Sequence, residues 1–516
     1  MNNTEEETKR TELLINSSRK LRETILSDPY RPAYHIVTPE GVCGPFDPNG
    51  ALFWKGRYHL MYIVQTEKGH CWAHISSSDL VYWRHHQLAL EPGEGDNGIF
   101  SGGASLDKNG VPVITYWGLG NPRGICIATS NDDLLEVWDK SPHNPIISET
   151  KGGLADIELD GKNLVYGAAD PSAIWIHDGR YYMLTGNLLV LREYGFNRNQ
   201  VEHQGDTLYL FVSDDLAKWE YLYPFYTSDR KWTRADEDDM CPDFFPLPSS
   251  PDGKSLSDRH MILFISHNLG CQYYIGKHEN DYFYPETHGR MTWIDNAFFA
   301  PESLVDGKGR RIMWSWIFDG LKGETLRARG WSGTMSLPRV LWLGDDNALR
   351  MRVPEEFGIL RYNPRKIENF TIKTNTELNM KDIHGDSLEL NIEMIPDSAG
   401  QVGVKVFCSP DGEEQTVIFY DSIEKKLKID TTKSGLGDGP KSVEGGPFEL
   451  RSDELLNLRV FVDRSVVEVF ANERQAVMRR VYPTRKDSLE VMLFSRGGDT
   501  RVKSIEAWDM APSNPC

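Results

Sequence analysis

The sequence lacks the features that mark metal-cluster, disulfide-rich and membrane proteins. Its seven cysteines are scattered without a Cys-x-x-Cys pair, which argues against a zinc cluster or a disulfide framework and favours a reducing compartment. No apolar run approaches the ~20 residues of a membrane span. The first residues are acidic and polar, unlike a secretory signal. We therefore expect a cytoplasmic protein, or a secreted one if a native leader precedes this sequence.

Basic residues are also scarce. Lysine and arginine number 57 against 76 aspartates and glutamates, and the net charge of −19 argues against nucleic acid or an anionic membrane as a partner. Aromatic residues are abundant, so the 516 residues can form a large core in two domains and still line a pocket with rings. We expect an uncharged small molecule or oligosaccharide as the ligand, with no cofactor and no metal. The sequence leaves homo-oligomerisation open.

The two ends of the chain differ from its middle. Residues 8–27 carry apolar side chains at roughly helical spacing, which predicts one short amphipathic helix within an N-terminal arm, residues 1–30. After a break near 351–364, the apolar runs of residues 365–516 are long and alternate cleanly. That texture predicts a C-terminal all-β domain, a sandwich, whose role we expect to be structural.

The middle region, residues 31–350, alternates short apolar or aromatic runs with turn clusters and has almost no helical periodicity. An acidic turn followed by Leu and Trp recurs at 78–83, 131–138 and 213–219. Recurrence of one supersecondary unit is typical of a β-propeller. We therefore predict an all-β chain in which a propeller precedes the sandwich.

Four acidic segments of the middle region lie beside prolines and next to predicted strands. A single Asp-Pro is more often a turn, and the aspartate at 47 taken alone could equally cap a backbone N–H. Four such segments in successive strand-rich units are better explained by carboxylates that converge on one axis. Glycoside cleavage needs this arrangement, with an ionised carboxylate as nucleophile and a protonated one that assists the leaving group. The segments contain Asp47, Asp170, the acidic run 236–239 and Glu302.

Several motifs occur in the order of a known family. From about residue 34 to near its C-terminus, the chain resembles glycoside hydrolase family 32, the invertase and fructanase family. The resemblance implies a five-bladed β-propeller followed by a β-sandwich. The motifs are Asp-Pro-Asn-Gly at 47–50, a Trp-containing stretch at 70–83, Phe-Ser-Gly at 100–102, Asp-Pro at 170–171, Cys-Pro-Asp at 241–243 and Val-Asp-Arg-Ser-Val-Val-Glu-Val-Phe at 462–470.

The resemblance also implies roles. Asp47 would attack the anomeric carbon of a terminal β-fructofuranosyl unit of sucrose, a fructo-oligosaccharide or a fructan, and Asp170 would stabilise the transition state. A glutamic acid would protonate the leaving oxygen and then activate water, with its carboxyl ~5–5.5 Å from the nucleophile as in retaining enzymes. For the aromatic residues among the implied substrate contacts, packing inside a blade is the alternative. These contacts are Asn49, Trp54, Gln65, Trp72, Phe100, Ser101, Asp243 and Glu302.

Three positions depart from the family pattern. Phe46 replaces the Asn that precedes the nucleophile, Ala169 replaces the Arg of Arg-Asp-Pro, and Met240 replaces the acid/base glutamate. The loss of the arginine removes a bidentate donor. Methionine cannot transfer a proton, so either another residue supplies the acid or activity is lost.

We predict Glu237 as the acid because its side chain has the reach, and Asp239 or Glu302 are the alternates. Two further hypotheses compete with a β-fructofuranosidase. One is an inverting, arabinofuranosidase-like propeller glycosidase with carboxyls ~6.5–9.5 Å apart. The other is a catalytically silent homologue that binds fructosides.

Overall fold

The computed structural model describes residues 2–93, 95–121, 123–150, 152–159, 161–188, 205–226, 228–452 and 454–514. Its first element is a helix, Asn2–Leu26, which begins earlier than predicted because the glutamates near its start favour the positive end of the helix dipole. Leu13 is 67% exposed, whereas Ile25 in the last turn packs against Val37 and Trp331. No helix within the described ranges is long and apolar enough to cross a membrane.

Five antiparallel sheets form the middle of the chain as the blades of a propeller, as predicted. The first strands of blades 1, 5, 4 and 3 contact one another in that order, and in blade 2 Ala104–Leu106 and Pro112–Gly120 contact the first strands of blades 1 and 3, so these strands surround the central axis. Blade 1 contains Pro48–Trp54, Arg57–Thr66, Gly69–Ser77 and Arg84–His85; blade 2 contains Asp96–Ile99, Ala104–Leu106, Pro112–Gly120, Gly124–Thr129, Asp139–Lys140 and Ile147–Ser148.

A two-stranded ribbon separates blade 2 from blade 3, and a short helix and a 3₁₀ helix follow within and after blade 5. The ribbon is Leu154–Leu159 with Lys162–Gly167; blade 3 contains Ala169–Pro171, Trp175–His177, Arg180–Gly186, Tyr209–Ser213 and Glu220–Pro224; blade 4 contains Met240–Pro248, Leu256–Ser266, Gly270–Glu279 and Tyr282–Arg290; blade 5 contains Phe298–Val305, Arg311–Ile317, Thr334–Met335, Arg339–Leu343 and Leu349–Arg352; the helices are Gly323–Arg329 and Glu355–Leu360.

The repeated acidic turn has the same structure in blades 1, 2 and 3, which confirms the repeat seen in the sequence. Leu80, Leu135 and Leu216 have φ of 68°, 57° and 66°, the left-handed region that a turn requires. In each copy the indole N–H of the following tryptophan donates to the carbonyl of that leucine, over 2.9 to 3.2 Å. The repeated unit is therefore a tight turn that one indole holds closed.

The C-terminal domain is a sandwich of two six-stranded antiparallel sheets, as predicted. One apolar core lies between the sheets, because alternate residues of their strands face inward. In order across each sheet, the first contains Arg361–Ile372, Thr500–Met510, Ser387–Ile395, Leu456–Asp463, Val466–Ala471 and Gln475–Arg480, and the second contains Thr376–His384, Glu490–Arg496, Gln401–Cys408, Gln415–Asp421, Lys426–Lys433 and Val443–Pro447.

Two acidic residues of the sandwich motif bind residues that precede or belong to the propeller. Asp463 accepts hydrogen bonds from the backbone N–H groups of residues 33–35 and lies 2.8 Å from Nδ1 of His35. Glu468 forms a buried ion pair with Arg339 of blade 5 at 2.7 Å. Breaking a buried pair by removing one partner typically costs ~3–5 kcal/mol, so these carboxylates fix the sandwich to the propeller.

Candidate active site

A cavity of about 330 Å³ opens at one end of the propeller axis. In blades 1, 4 and 5 the first strand starts at this mouth, and the second strand, antiparallel to it, ends there. In blades 2 and 3 the strands that end there are Pro112–Gly120 and Arg180–Gly186. The start of one strand and the end of the next therefore both contribute side chains. The lining residues are Pro45, Asp47, Phe100, Asp170, Met240, Cys241, Asn296 and Phe299 from the first set and Trp117, Leu119, Leu188, Ile265, His267, Trp316 and Phe318 from the second.

β-Bulges in the first strands turn side chains toward the cavity. The register of blades 1, 3, 4 and 5 shifts near the mouth, where Gly50, Asp170, Cys241 and Ala300 have φ of 54°, 32°, 50° and 47°. Three of the four are not glycine, so the backbone is strained at this level. Such bulges bend a strand and re-aim its residues, which explains why several carboxylates and aromatic rings meet at one level.

Asp47 lies at the start of blade 1 and is 6% exposed. Its Oδ2 accepts a hydrogen bond from Ser101 at 2.7 Å, and its Oδ1 has no partner within the described part of the chain. Asn49 fixes the loop, because its amide donates to the Asp47 carbonyl and its Oδ1 accepts from the Gly102 N–H. Burial raises the pKa of Asp47 to about 6.

Asp170 lies at the start of blade 3 and is 5% exposed. Its Oδ2 accepts from the Cys241 thiol at 3.3 Å, and its Oδ1 lacks a partner among the described residues. Burial, followed by the nearby charge of Asp47, raises the pKa of Asp170 to about 7. The site thus holds two coupled carboxylates, each with an oxygen free for a ligand hydroxyl.

The acidic run before blade 4 lies outside the set of lining residues. Glu237 is fully buried, and its two oxygens accept from Arg290 at 2.9 Å, from Gln272 at 3.0 Å and from the Arg234 N–H at 3.0 Å. Asp239 is also buried and accepts from the Tyr226 hydroxyl at 2.6 Å. The Oδ1 of Asp239 has no partner among the described residues, but neither Asp239 nor Glu237 belongs to the described lining of the cavity.

Glu302 and Asp243 form a second buried group away from the lining residues. Glu302 accepts from the Ala51 N–H at 2.9 Å, and Asp243 accepts from the Ser303 hydroxyl. Burial raises the pKa of both carboxyls, well above the ordinary value for Glu302, despite the guanidinium of Arg311 nearby. The pair joins the first strands of blades 1, 4 and 5, and neither residue, each predicted as a substrate contact, belongs to the described lining of the cavity.

The structure divides the other predicted contacts. Phe100 lines the cavity, and Trp72 lies behind it as a fully buried core residue whose indole donates to the Phe100 carbonyl at 3.1 Å. Trp54 ends the first strand of blade 1, at the end opposite the mouth. Gln65 is exposed on the second strand. Trp54, Gln65 and Trp72 are absent from the described lining, because strand direction and the pleat place their side chains elsewhere.

The sequence analysis missed His267 and the rings of Trp117 and Trp316, which all line the cavity. Each lies near the mouth end of a strand that runs antiparallel to the first strand of its blade, and none belongs to a motif that carried the resemblance. Antiparallel pairing was the available signal, because a residue after the predicted strand 261–266 must return to the mouth. A titratable histidine at that position was the residue to notice.

The three departures from the family pattern have different consequences. Phe46 is fully buried, and its ring packs on that of Tyr62 with the ring centroids 4.9 Å apart, so its side chain belongs to the core rather than the cavity. Ala169 is also fully buried and brings no donor to Asp170. Met240 lines the cavity and presents an apolar side chain. The wall of the cavity is therefore more apolar than the resemblance implied.

The comparisons with known proteins agree over nearly the whole chain. Residues 35–352 match the Glycosyl hydrolases family 32 N-terminal domain, and residues 356–509 match the Glycosyl hydrolases family 32 C terminal domain. The chain is 27% identical to a fructan 6-exohydrolase of Beta vulgaris, over 94% of this chain and 87% of that protein. It is 28% identical to a sucrose-6-phosphate hydrolase of Zymomonas mobilis, over 97% and 96%.

A solved structure has the same fold. The crystal structure of fructan 1-exohydrolase IIa from Cichorium intybus superposes with a TM-score of 0.79 at 22% identity, covering 94% of this chain and 98% of that one. The matched domains also exclude the arabinofuranosidase-like alternative, because both parts of the chain match one family in its order. The chain belongs to the glycosyl hydrolases of family 32 and is a glycosidase of the β-fructofuranosidase type.

Proposed function

We propose that the protein releases terminal non-reducing β-D-fructofuranosyl units from sucrose, fructo-oligosaccharides or fructans with retention of configuration. The observation that carries this proposal is the pair Asp47 and Asp170, two buried, coupled carboxylates on one small cavity with unpaired oxygens. An inverting enzyme would instead use one ionised carboxylate as a general base and would need room for a water between its two carboxyls. Family membership supports the retaining alternative.

The size and lining of the cavity support removal of one terminal sugar. About 330 Å³ is at the lower end of the ~300–1,000 Å³ of ligand pockets and suits a single monosaccharide. Phe100, Trp117 and Trp316 offer ring faces to the apolar edge of a sugar. The relatives include hydrolases of fructan and of sucrose 6-phosphate, and these names support a β-fructoside without distinguishing the chain length or linkage.

In the proposed first step, an Asp47 oxygen attacks the anomeric carbon, the glycosidic C–O bond breaks, and the leaving oxygen takes a proton from an acid. In the second step, water attacks the same carbon, the bond to Asp47 breaks, and its electron pair returns to the carboxylate. Ser101 holds the other Asp47 oxygen, so attack by Oδ1 needs no rotation of the carboxylate. Asp170 stabilises the positive charge that develops on the sugar ring.

We do not assign the proton transfer to Glu237. Its oxygens already accept three hydrogen bonds, including one from the guanidinium of Arg290, and it is absent from the described lining of the cavity. Met240, at the family's acid position, favours the competing hypothesis of a homologue that binds fructosides without cleaving them. This competitor remains an outcome of the test.

The test measures fructose release from sucrose, an inulin-type and a levan-type trisaccharide by the wild-type protein and Asp47→Asn. We expect release from at least one substrate, a loss of ~10⁴-fold or more in the variant, and β-configured products in the presence of methanol. Asp133→Asn, which removes a carboxylate exposed on the surface, is the matched control and should retain wild-type turnover.

Three results contradict the proposal. Fructoside binding by calorimetry without turnover identifies the silent homologue. Equal turnover by wild type and Asp47→Asn removes Asp47 from the reaction and leaves the retaining mechanism without its nucleophile. An α-configured methyl product also rules out retention.

A further inference from the structure

We propose that His267, held by Asp238, is the general acid and base of this enzyme in place of the glutamate that Met240 replaces. This inference rests on the proposed β-fructosidase function and names the residue that completes it. His267 is the one proton donor with an ordinary pKa near neutrality among the described residues that line the cavity. The other ionisable lining residues are Asp47, Asp170 and Cys241.

The fold brings His267 to the required place. It follows the second strand of blade 4, Leu256–Ser266, which returns to the mouth beside Met240 on the first strand. Asn296 donates to the His267 carbonyl at 2.7 Å, and the ring of Phe299 meets the imidazole edge to face at 5.6 Å. Backbone and ring are thus both fixed, as a proton-transfer group requires.

Asp238 orients the imidazole. Its Oδ1 accepts from the His267 backbone N–H at 2.8 Å, and its Oδ2 lies 2.8 Å from Nδ1. Asp238 is fully buried, and its carboxylate accepts a hydrogen bond from Nδ1–H of His267, which fixes the tautomer. Nε2 has no hydrogen-bond partner in the described ranges, and the side chain is 23% exposed, so this nitrogen is free for a ligand.

The charges around His267 favour its acid form. Burial alone would lower the pKa of His267, but the carboxylates of Asp238, Asp170 and Asp47 together raise it above the ordinary value. Asp47 and Asp170 line the same cavity as the ring, and Met240, Ile265 and Phe299 of this lining are uncharged. The imidazolium, the form that can donate a proton, is therefore favoured relative to that of an unperturbed histidine.

With His267 as acid and base, every proton and electron pair is accounted for in both steps. In the first step, Asp47 bonds to the anomeric carbon, the glycosidic electron pair moves to the leaving oxygen, and that oxygen takes the proton from Nε2. In the second step, Nε2 accepts a proton from the attacking water as the bond to Asp47 breaks. The water oxygen remains on the sugar, and His267 and Asp47 both return to their starting states.

The experiment compares wild type, His267→Asn and Asp238→Asn on sucrose or kestose and on a nitrophenyl β-fructofuranoside, whose leaving group needs no proton. In His267→Asn we expect kcat/KM to fall ~10²–10⁴-fold for the natural bond and less than ~10-fold for the aryl glycoside. Azide should restore turnover of the aryl glycoside and give β-fructosyl azide. His260→Asn, on the same strand but away from the cavity lining, is the control.

Asp238 acts as a positioning residue, and its test is the pH profile. Removing its charge lowers the pKa of His267, so the alkaline limb of kcat/KM for the natural substrate should move to lower pH in Asp238→Asn. In His267→Asn this limb should disappear. A merely structural Asp238 would lower the amount of folded enzyme and leave the limb unchanged.

The failures are distinguishable. No cleavage of any fructoside by wild type, the aryl glycoside included, rejects the proposed function itself. Cleavage of the aryl glycoside alone by wild type shows a working nucleophile without an acid and overturns the role of His267. Equal losses on both substrates in His267→Asn, or full activity on sucrose, overturn it too, while Asp47→Asn still identifies the nucleophile.

Discussion

Two groups of buried carboxylates lie near the same mouth of the propeller and differ in how their oxygens are satisfied. Asp47 and Asp170 each receive one bond from a hydroxyl or thiol and keep one oxygen unpaired. Glu237 and Asp238 receive guanidinium, amide, backbone and imidazole donors. The first group borders the cavity, whereas the second holds the protein around it.

The unpaired oxygens mark the carboxylates that are available to a substrate. A buried carboxylate oxygen without donors is costly, and at Asp47 and Asp170 the fold carries that cost where a substrate can supply the missing hydrogen bonds. A buried carboxylate with full donors is stabilising and has no oxygen left for a ligand. Satisfaction of the oxygens therefore separates the groups more sharply than acidity or burial, which both groups share.

The largest expected effect is on activity. Asp170→Asn should lower kcat/KM for a fructoside by ~10²–10³-fold or more, because it removes a charge that stabilises the transition state. Glu237→Gln should stay within about threefold of wild type per folded molecule, because Glu237 does not touch the cavity. Steady-state kinetics normalised to folded enzyme measure both. A loss in Glu237→Gln as large as in Asp170→Asn would return the acid role to Glu237.

Much of the fold was predictable because it depends on local patterns. The repeated Leu–Trp turns marked blades, and the clean alternation after residue 364 marked the sandwich. The long N-terminal helix was underestimated because its exposed residues lack a strong apolar face.

The site was only partly predictable because it depends on which neighbours surround each carboxylate. Asp47 and Asp170 follow from motifs, but the partners of Glu237 come from Arg290 and Gln272, more than 30 residues away in the chain. No local pattern reveals that such donors satisfy one acid and spare another. His267 was missed for a different reason, since it needed the strand direction rather than a motif.

The free energy of unfolding should change in opposite directions in Asp170→Asn and Glu237→Gln. Asp170 has a folded pKa of about 7 against 3.8 ordinarily, so its ionisation destabilises the folded state. This cost is absent below pH 3.8, grows up to pH 7 and is constant above it. Asp170→Asn should therefore raise the free energy of unfolding by about 2–4 kcal/mol at pH 8, and less at pH 5.

Glu237→Gln should instead lower the free energy of unfolding by about 3–5 kcal/mol, because Arg290 loses its buried partner. Denaturant unfolding at pH 5 and 8, with each variant beside wild type, gives both numbers. A stabilised Glu237→Gln, or an Asp170→Asn whose gain is independent of pH, would mean that the two groups do not differ as their hydrogen bonds indicate.

The acid limb of the profile of kcat/KM against pH should lie at a higher pH than an ordinary carboxylate would give. Asp47 attacks in its ionised form, and burial raises its pKa to about 6. Activity should therefore be present above this value and fall as the pH drops through it, about two units above an ordinary aspartate. The profile of kcat/KM against pH reports the free enzyme. A limb near pH 4 would show that Asp47 is better solvated than its burial indicates.

The smallest expected effect comes from the one hydroxyl that binds Asp47. Ser101→Ala removes a hydrogen bond that favours the charged form, so the acid limb should move further upward by about one unit, the equivalent of ~1–2 kcal/mol. Ser105→Ala, a nearby serine whose hydroxyl has no partner among the described residues, should leave the limb in place. A downward shift in Ser101→Ala would mean that water replaces the hydroxyl and solvates Asp47 better. The raised pKa of Asp47 would then depend on how tightly Ser101 packs against its carboxyl and excludes water.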